Sequence, residues 1–265
     1  MMGTVVDPEW TYKGKSVESS HFLQTVPATF DAREAWPACQ SVIGHVRDQA
    51  NCGSCWAHGT TEAFNDRLCI KTNGTFKTLL STADTTGCCG FLSCFSMGCN
   101  GGQVGLPWGW FKSTGVVTGG DFGDKDTCYP YTMPFCAHHV TGTTYPDCST
   151  ISQVDPTCSK QCQNSLGYSS DKHKATSSYG LSSVDQIKAD LVQYGSVTAA
   201  FTVYEDFVNY KSGVYRHTTG SALGGHAVKI IGYGEDHWIV VNSWNETWGD
   251  NGTFKIAFGE CGIDS

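Results

Sequence analysis

The sequence predicts an α+β protein of two lobes, and three observations carry that expectation. From about residue 26 to 115, apolar residues recur at helical spacing. Beyond Tyr179 the pattern changes to short, partly β-branched apolar runs bounded by glycine. The 265 residues suffice for one substantial core or two moderate ones, and no repeat or low-complexity tract divides them.

Residues 1 to 25 differ from the rest of the chain: they are polar, with Pro8, Gly14 and scattered charges, and little periodicity. Met1-Met2-Gly3-Thr4 lacks the basic start and apolar stretch of a signal peptide, so the sequence is expected to lack its natural N-terminus. The central helix is predicted to open at Cys55, with Trp56, Thr60, Ala63, Phe64 and Leu68 on one buried face. A shorter helix is expected around Leu106 to Lys112. Later, the capping box Ser183-Val184-Asp185-Gln186 opens a helix that Gly195 closes, with Val184, Ile187 and Leu191 on its apolar face. Strands are predicted at Val197 to Val203, Ala227 to Gly232, Trp238 to Val241 and Thr253 to Phe258.

Composition narrows the possible partners and the compartment. A net charge of -8 argues against nucleic acid or an anionic membrane surface, since neither attracts an acidic protein. No apolar stretch of about eighteen residues is present to span a bilayer. Fourteen cysteines point to an oxidising compartment reached through the secretory pathway. Three glycosylation sequons, at Asn73, Asn245 and Asn251, fit that route.

The run Gln49-Ala50-Asn51-Cys52-Gly53-Ser54-Cys55-Trp56-Ala57 places a thiol where a polar loop turns into a helix. Unpaired amide N–H groups at a helix start carry partial positive charge and favour a thiolate over a thiol. His226, in Gly224-Gly225-His226, and Asn242, in Val241-Asn242-Ser243-Trp244, stand at what read as strand ends far downstream. A Cys with a distant His and Asn is the pattern of a nucleophile whose partners meet only in the fold. Blander readings exist for each residue. Cys52-x-x-Cys55 is also half of a redox or zinc motif, although the chain holds no second CxxC. A lone His beside glycines is more often a satisfied core residue, and Trp244 and Trp248 are more often core than cover.

With these residues the chain resembles the papain family of cysteine proteases, and within it the cathepsin B group. The resemblance rests on Gln49 to Ala57, on Gly98-Cys99-Asn100-Gly101-Gly102, on Gly224 to Gly234, and on Asn242 to Asn245 with Trp248 to Gly252. It covers nearly everything after Val26. It implies a papain-like fold, a helical lobe and a β-barrel-like lobe with the catalytic cleft between them. Cys55 would be the nucleophile, His226 the base and then the acid, Asn242 the residue orienting the imidazole, and Gln49 an oxyanion donor. Trp244 would cover the His226 to Asn242 bond, and Gly101 and Gly102 would line the substrate cleft. Implied disulfides are Cys39 with Cys69, Cys52 with Cys99, Cys88 with Cys158, Cys89 with Cys94, Cys128 with Cys162, and Cys136 with Cys148. Cys55 and Cys261 are left over, which sets the redox reading aside.

The resemblance also divides the chain: residues 1–25 as the end of an inhibitory pro-segment, and 26–265 as the peptidase domain. In that domain about 26–115 form the helical lobe and 116–265 the β lobe. Met2-Gly3-Thr4 resembles the part of such a pro-segment that threads the cleft backwards. Within about 128–162, Cys136-Ala137-His138-His139-Val140, closed by Cys148, resembles the occluding loop. In that group the loop blocks one end of the cleft, and its two histidines receive a substrate's C-terminal carboxylate, so that dipeptides are released. By spacing alone a solvated loop is the commoner reading, and adjacent histidines rarely share one metal, so no metal and no cofactor is expected.

Three departures from the group stand out. Thr144 and Thr247 occupy places where an Arg and an Asp would tie the loop down a second time, so a loop that opens readily is expected. His58 stands where the family usually has Phe, and its ring needs a hydrogen-bond partner. The chain stops at Ser265, just where the acidic residue at the base of the S2 pocket would come next. The resemblance, with the cysteine content, implies a monomeric cysteine peptidase of a lysosome or equivalent acidic vacuole, or a secreted one. Its partners would be peptide and protein substrates, its own pro-segment and protein inhibitors of cysteine proteases. The alternatives are a catalytically silent binding protein of the same fold and a latent zymogen.

Overall fold

A computed structural model describes residues 2–4 and 25–265; most of the expected pro-segment therefore lies outside the described residues. The first lobe begins with β1 (Phe30–Asp31), α1 (Ala32–Ala35) and α2 (Gln40–Ile43). It continues through α3 (Cys55–Lys71), α4 (Thr82–Cys88), α5 (Phe91–Cys94) and α6 (Leu106–Ser113). After a long irregular stretch come α7 (Val184–Tyr194), β2 (Val197–Tyr204), β3 (Val214–Tyr215), β4 (Ala222–Tyr233), β5 (His237–Val241) and β6 (Thr253–Ala257).

Helix α3 opens at Cys55, but it is not the one-faced helix that the spacing predicts. Residues 55 to 66 are buried all round, and Leu68 is only half-buried. Its polar residues are inside because remote segments supply partners. Asn65 Oδ1 accepts from the amide of Leu80 at 2.7 Å, and Asp66 accepts from Ser196 Oγ at 2.5 Å. Lys229 of β4 brings its ammonium 3.0 Å from Asp66 and 3.8 Å from Glu62. Burial pushes the Glu62 carboxyl up to about 7, against the pull of Lys229. Helix and sheet also touch directly: a Cβ on Gly59 would lie 3.0 Å from the Val228 carbonyl oxygen. That close approach needs a residue without a side chain.

The sheet is mixed, in the order β1-β4-β5-β6-β3, with β2 also paired to β4. Among the described residues it stays open and does not close into a barrel. Strand β4 is the organiser, since it pairs antiparallel with β1, β2 and β5. It also runs longer than its apolar segment predicts, so His226 sits inside it opposite Phe201 and not at its end. Aromatic residues fill the core of this lobe, with Phe201, Phe207, Trp238, Trp244, Trp248 and Phe254 in one cluster. Trp56, Phe64, Trp110 and Phe111 build the other. Helix α7 is capped as expected at Ser183, although Gln186 reaches back to the amide and hydroxyl of Ser182.

Six disulfides pair Cys39–Cys69, Cys52–Cys99, Cys88–Cys158, Cys89–Cys94, Cys128–Cys162 and Cys136–Cys148. Cys55 and Cys261 are free. Burial, with Glu260 adding to it, pushes the Cys261 thiol up to about 12, so it stays protonated and inert. Among the described residues no helix is long and apolar enough to cross a membrane.

Candidate active site

The loop 48–54 and the first turn of α3 form one wall of a cleft. Cys55, with no solvent exposure, is the first residue of the helix, where amides lack partners within it. Its Sγ lies 3.1 Å from the hydroxyl of Thr4. The same Thr4 crosses to the other wall, its amide donating to the Gly225 carbonyl at 3.0 Å, while the Gly102 amide donates to the Gly3 carbonyl at 2.9 Å. Residues 2–4 thus lie across the cleft as a short strand, parallel to the wall at Gly102 and antiparallel to β4 at Gly225. Gly3 passes so close to Gly53 that a Cβ on it would sit 1.9 Å from the Gly53 carbonyl oxygen. Gly101 supports this wall in a conformation with φ of +110°, which glycine alone adopts readily.

The opposite wall carries His226. Its Nε2 lies 2.7 Å from Asn242 Oδ1, which accepts, so Nε2 bears the proton and Nδ1 is the basic nitrogen. Among the described residues Nδ1 has no hydrogen-bond partner. Burial pushes the ring down to about 3, opposed by the Asn242 bond. Trp244 packs at 4.8 Å between ring centroids and shields that bond from water. Gln49 is held at both ends of its side chain: Nε2 donates to the Cys52 carbonyl at 2.8 Å and Oε1 accepts from Ser243 Oγ at 2.8 Å. Thr4 therefore touches Cys55 and the residue next to His226 at once, and the residues singled out in the sequence line one cleft.

The two histidines of the 136–148 loop stand at one end of it. His138 is buried and stacks on Trp244, with Nε2 at 2.7 Å from Asp48 Oδ1. His139 is exposed, meets Trp244 edge-on and has φ of +56°. Burial lowers both rings below the ordinary histidine range, against the pull of Asp48 on His138 and of Asp147 on His139. Asp48 is the anchor of this loop. Besides His138 it accepts from the amides of Cys136 and Ala50 at 2.8 and 2.7 Å and from Asn245 Nδ2 at 3.2 Å. Asn245 is thereby buried with its amide engaged, whereas Asn73 and Asn251 are exposed at turns. Among the described residues no hydrogen bond or ion pair joins Thr144 to Thr247, and the hydroxyl of Thr247 is buried without a partner. The cysteines near His138 are committed to the Cys136–Cys148 disulfide and offer no thiolates for a metal.

Sequence reasoning missed Thr4 as the group over the thiol, and it left His58 without a partner. The ring of His58 is fully buried: Nδ1 lies 3.1 Å from the Ser54 carbonyl, and Tyr131 meets the ring edge-on at 4.8 Å. Burial, with Arg47 adding to it, pushes His58 down to about 3. An unfolded His takes up its proton near 6.5, so stability is complete above that pH and falls as pH drops from 6.5 towards 3. The slope is about 1.4 kcal/mol per pH unit. Chemical denaturation at several pH values should therefore show the unfolding free energy of the protein falling below that of His58→Phe by about 3 kcal/mol more at pH about 4 than at about 7. Equal pH slopes for the two proteins would contradict it.

A cavity of about 980 Å³, lined among others by Arg67, Trp108, Tyr179, Asp190 and Ile263, lies elsewhere between the lobes and is not lined by Cys55, His226 or Asn242.

Comparison with known proteins agrees with the geometry. Residues 26–265 match the family model described as papain family cysteine protease. Cathepsin B-like cysteine proteinase 4 of Caenorhabditis elegans is 46% identical over 250 residues, covering 91% of this chain and 73% of that protein. The cathepsin B-like cysteine proteinase of Schistosoma japonicum is 45% identical over 249 residues, covering 91% and 71% respectively. Among solved structures, procathepsin B S9 from Trypanosoma congolense superposes with a TM-score of 0.81 at 29% identity, covering 100% of this chain and 84% of that one.

Proposed function

The chain belongs to the papain family of cysteine proteases and is a cathepsin B-like cysteine peptidase, and from that premise we propose that it hydrolyses peptide bonds through a thioester on Cys55. The observation that carries the mechanism is the 2.7 Å approach of His226 Nε2 to Asn242 Oδ1, an oxygen that also accepts from the Ser243 amide. Because Asn242 holds Nε2–H, the ring offers Nδ1 to the cleft that also holds Cys55. An amide in place of a carboxylate orients the ring without adding charge beside a thiolate and imidazolium pair.

In the first half-reaction Cys55 Sγ gives its proton to His226 Nδ1, which makes the thiolate and imidazolium pair, and the thiolate attacks the scissile carbonyl carbon. Negative charge moves to the carbonyl oxygen, where Gln49 Nε2 and the Cys55 amide receive it, at about 3 to 4 kcal/mol per donor. His226 then passes its Nδ1 proton to the leaving nitrogen, the C–N bond breaks, and a thioester and a free amine remain. In the second half-reaction Nδ1 takes a proton from water as the hydroxide adds to the thioester. Collapse releases the carboxylic acid and restores thiolate and imidazolium.

Residues 1–25 serve in this reading as the end of a pro-segment, so that the described form is the latent one. What supports this is that a hydroxyl, and not a carbonyl carbon, faces Cys55 Sγ, which leaves the sulfur nothing to attack. Peptide substrates then take over the two backbone hydrogen bonds of the cleft walls, the one the Gly102 amide now donates to Gly3 and the one the Gly225 carbonyl now accepts from Thr4. Removal of residues 1–25 should raise hydrolysis of a fluorogenic peptide by at least about 100-fold. Sequencing the N-terminus of the active form should place it near Val26. Full activity with residues 2–4 still attached would refute the latency.

The loop at 136–148 acts as the gate that admits a free C-terminus, giving dipeptide release alongside cleavage of interior bonds. Its support is the placement of His138 and His139 against Trp244 at one end of the cleft. A cationic ring pairs with the carboxylate, so this activity belongs to acid pH, in keeping with an acidic compartment. Because burial lowers both rings, release of dipeptides should fade on the acid side of neutral, while cleavage of interior bonds persists to higher pH. The check is kcat/KM against pH for a peptide with a free C-terminus and for its amide. Superimposable profiles would contradict the gate.

A further inference from the structure

Tyr131, Ser54 and His58 lie outside the set of residues that does chemistry, yet they form one buried chain of hydrogen bonds that ends on it. Tyr131 precedes the disulfide-bonded Cys136 in the segment that leads into the loop at 136–148. Its hydroxyl lies 2.7 Å from the carbonyl oxygen of Gln49, which can only accept, so the Tyr131 proton is spent there. The same hydroxyl oxygen is 2.9 Å from Ser54 Oγ and must accept from it. Ser54 Oγ in turn is 3.2 Å from His58 Nδ1, which also faces the Ser54 carbonyl at 3.1 Å. A carbonyl cannot donate, so Nδ1 carries the ring proton and gives it to Ser54. Every proton in the chain therefore points the same way, from His58 through Ser54 and Tyr131 to Gln49.

This chain reaches both residues read as oxyanion donors, ending on the first and passing through the neighbour of the second. Gln49 is one of them, and Ser54 directly precedes Cys55, whose amide is the other. Between them the backbone turns through Ala50 at φ of +52°, a conformation costly for a residue with a side chain and held only if its surroundings enforce it. All members are inside: His58 and Ser54 have no solvent exposure, and Tyr131 has 3%. A phenylalanine at position 58 would keep the ring against Tyr131 but would lose the donor that orients Ser54.

We propose that His58 is a positioning residue, which through Ser54 and Tyr131 fixes the Gln49 carbonyl relative to the Cys55 amide and so sets the geometry of the oxyanion hole. The inference rests on the reading of Gln49 as an oxyanion donor. In this chain the segment leading to the loop at the cleft's end and the first turn of α3 are joined by that relay, so the hole is built from both.

The test uses the processed enzyme and the variants His58→Phe, His58→Asn and Tyr131→Phe. The side-chain amide nitrogen that His58→Asn introduces can take the place of Nδ1, so this variant serves as the conservative rescue. His58→Phe and Tyr131→Phe should each lower kcat about 10-fold with KM unchanged, and the double variant should lose little more than either single one. His58→Asn should recover most of the loss. Affinity for a peptide aldehyde, whose hemithioacetal oxygen enters the hole, should fall by the same factor as kcat/KM. Alkylation of Cys55 by iodoacetamide needs no oxyanion hole, and its rate should not change. A parallel fall in the alkylation rate, or no change in kcat, would overturn the proposal. Gln49→Ala separates it from its premise. If that variant leaves aldehyde affinity intact, the oxyanion reading itself fails; if it weakens affinity while His58→Phe does not, only the relay fails.

Discussion

Replacing Cys55 by alanine should lower kcat by about 10⁵- to 10⁶-fold while leaving the fold in place. The size of the effect follows from the way the parts act as a unit. Without the sulfur there is no acyl-enzyme, and His226 and Asn242 have no thiolate to serve; only binding and the oxyanion donors remain. His226→Ala should be comparably severe, and the double variant should be little worse than either single one, because the second loss removes a group whose partner is already gone. The structural penalty is small by contrast. Cys55 takes part in no disulfide, and its thiol bonds to the hydroxyl of Thr4 alone among the described residues, so the unfolding free energy should move by only about 1 kcal/mol. Steady-state hydrolysis of a fluorogenic peptide, with thermal unfolding of the same samples, separates the two effects. Unfolding of Cys55→Ala at room temperature, or residual activity within about 100-fold of the parent, would contradict the assignment.

Asp48→Ala is expected to give the second largest change, and a selective one. Its side chain is 2% exposed and receives four hydrogen bonds, two of them from the segment that carries His138. Breaking a buried pair by removing one partner destabilises by about 3 to 5 kcal/mol, and here that energy is concentrated on the attachment of the loop. A shift of about 3 kcal/mol towards the open form changes the population of the closed loop by roughly 100-fold. Dipeptide release should therefore collapse relative to cleavage of interior bonds, and cleavage of long substrates should hold steady or rise as the blocked end opens. His138→Ala should act in the same direction without touching the Ala50 and Asn245 bonds of Asp48. The ratio of kcat/KM for a free C-terminal substrate to that for an internally quenched longer peptide measures the effect. An unchanged ratio in both variants would remove the loop from the mechanism of exopeptidase action.

Much of the fold was legible in the sequence because local signals and tertiary structure agree. The polar turn before Cys55 and the apolar run after it place the helix start correctly, and the β-branched runs at Val197 and Trp238 are strands because nothing competes with that pattern. The harder parts were those in which a distant residue decides. Helix α3 looks amphipathic by spacing, yet it is buried all round because Lys229, Ser196 and the Leu80 amide arrive from remote segments to pair its Asp66 and Asn65. Strand β4 begins before its apolar run, since Gly224 and Gly225 pair with Val203 and Thr202 of β2 and are not a loop. Tyr131, which packs on His58, stands 77 positions from Ser54, and no periodicity announces it. Asn245 reads as a sequon, but its amide is engaged by Asp48, a contact that only the folded loop creates. Among the described residues the sheet stays open, a matter of strand pairing that the run of apolar segments does not encode.

The most direct measurement is covalent labelling of the processed protein by an epoxide thiol inhibitor at pH about 5, with the modified residue located by mass spectrometry. The account predicts one equivalent of label, on Cys55, with activity lost in proportion, Cys261 unlabelled, and protection when residues 1–25 are still attached. An unreactive Cys55 in the processed chain, or label on Cys261 with full loss of activity, would contradict it.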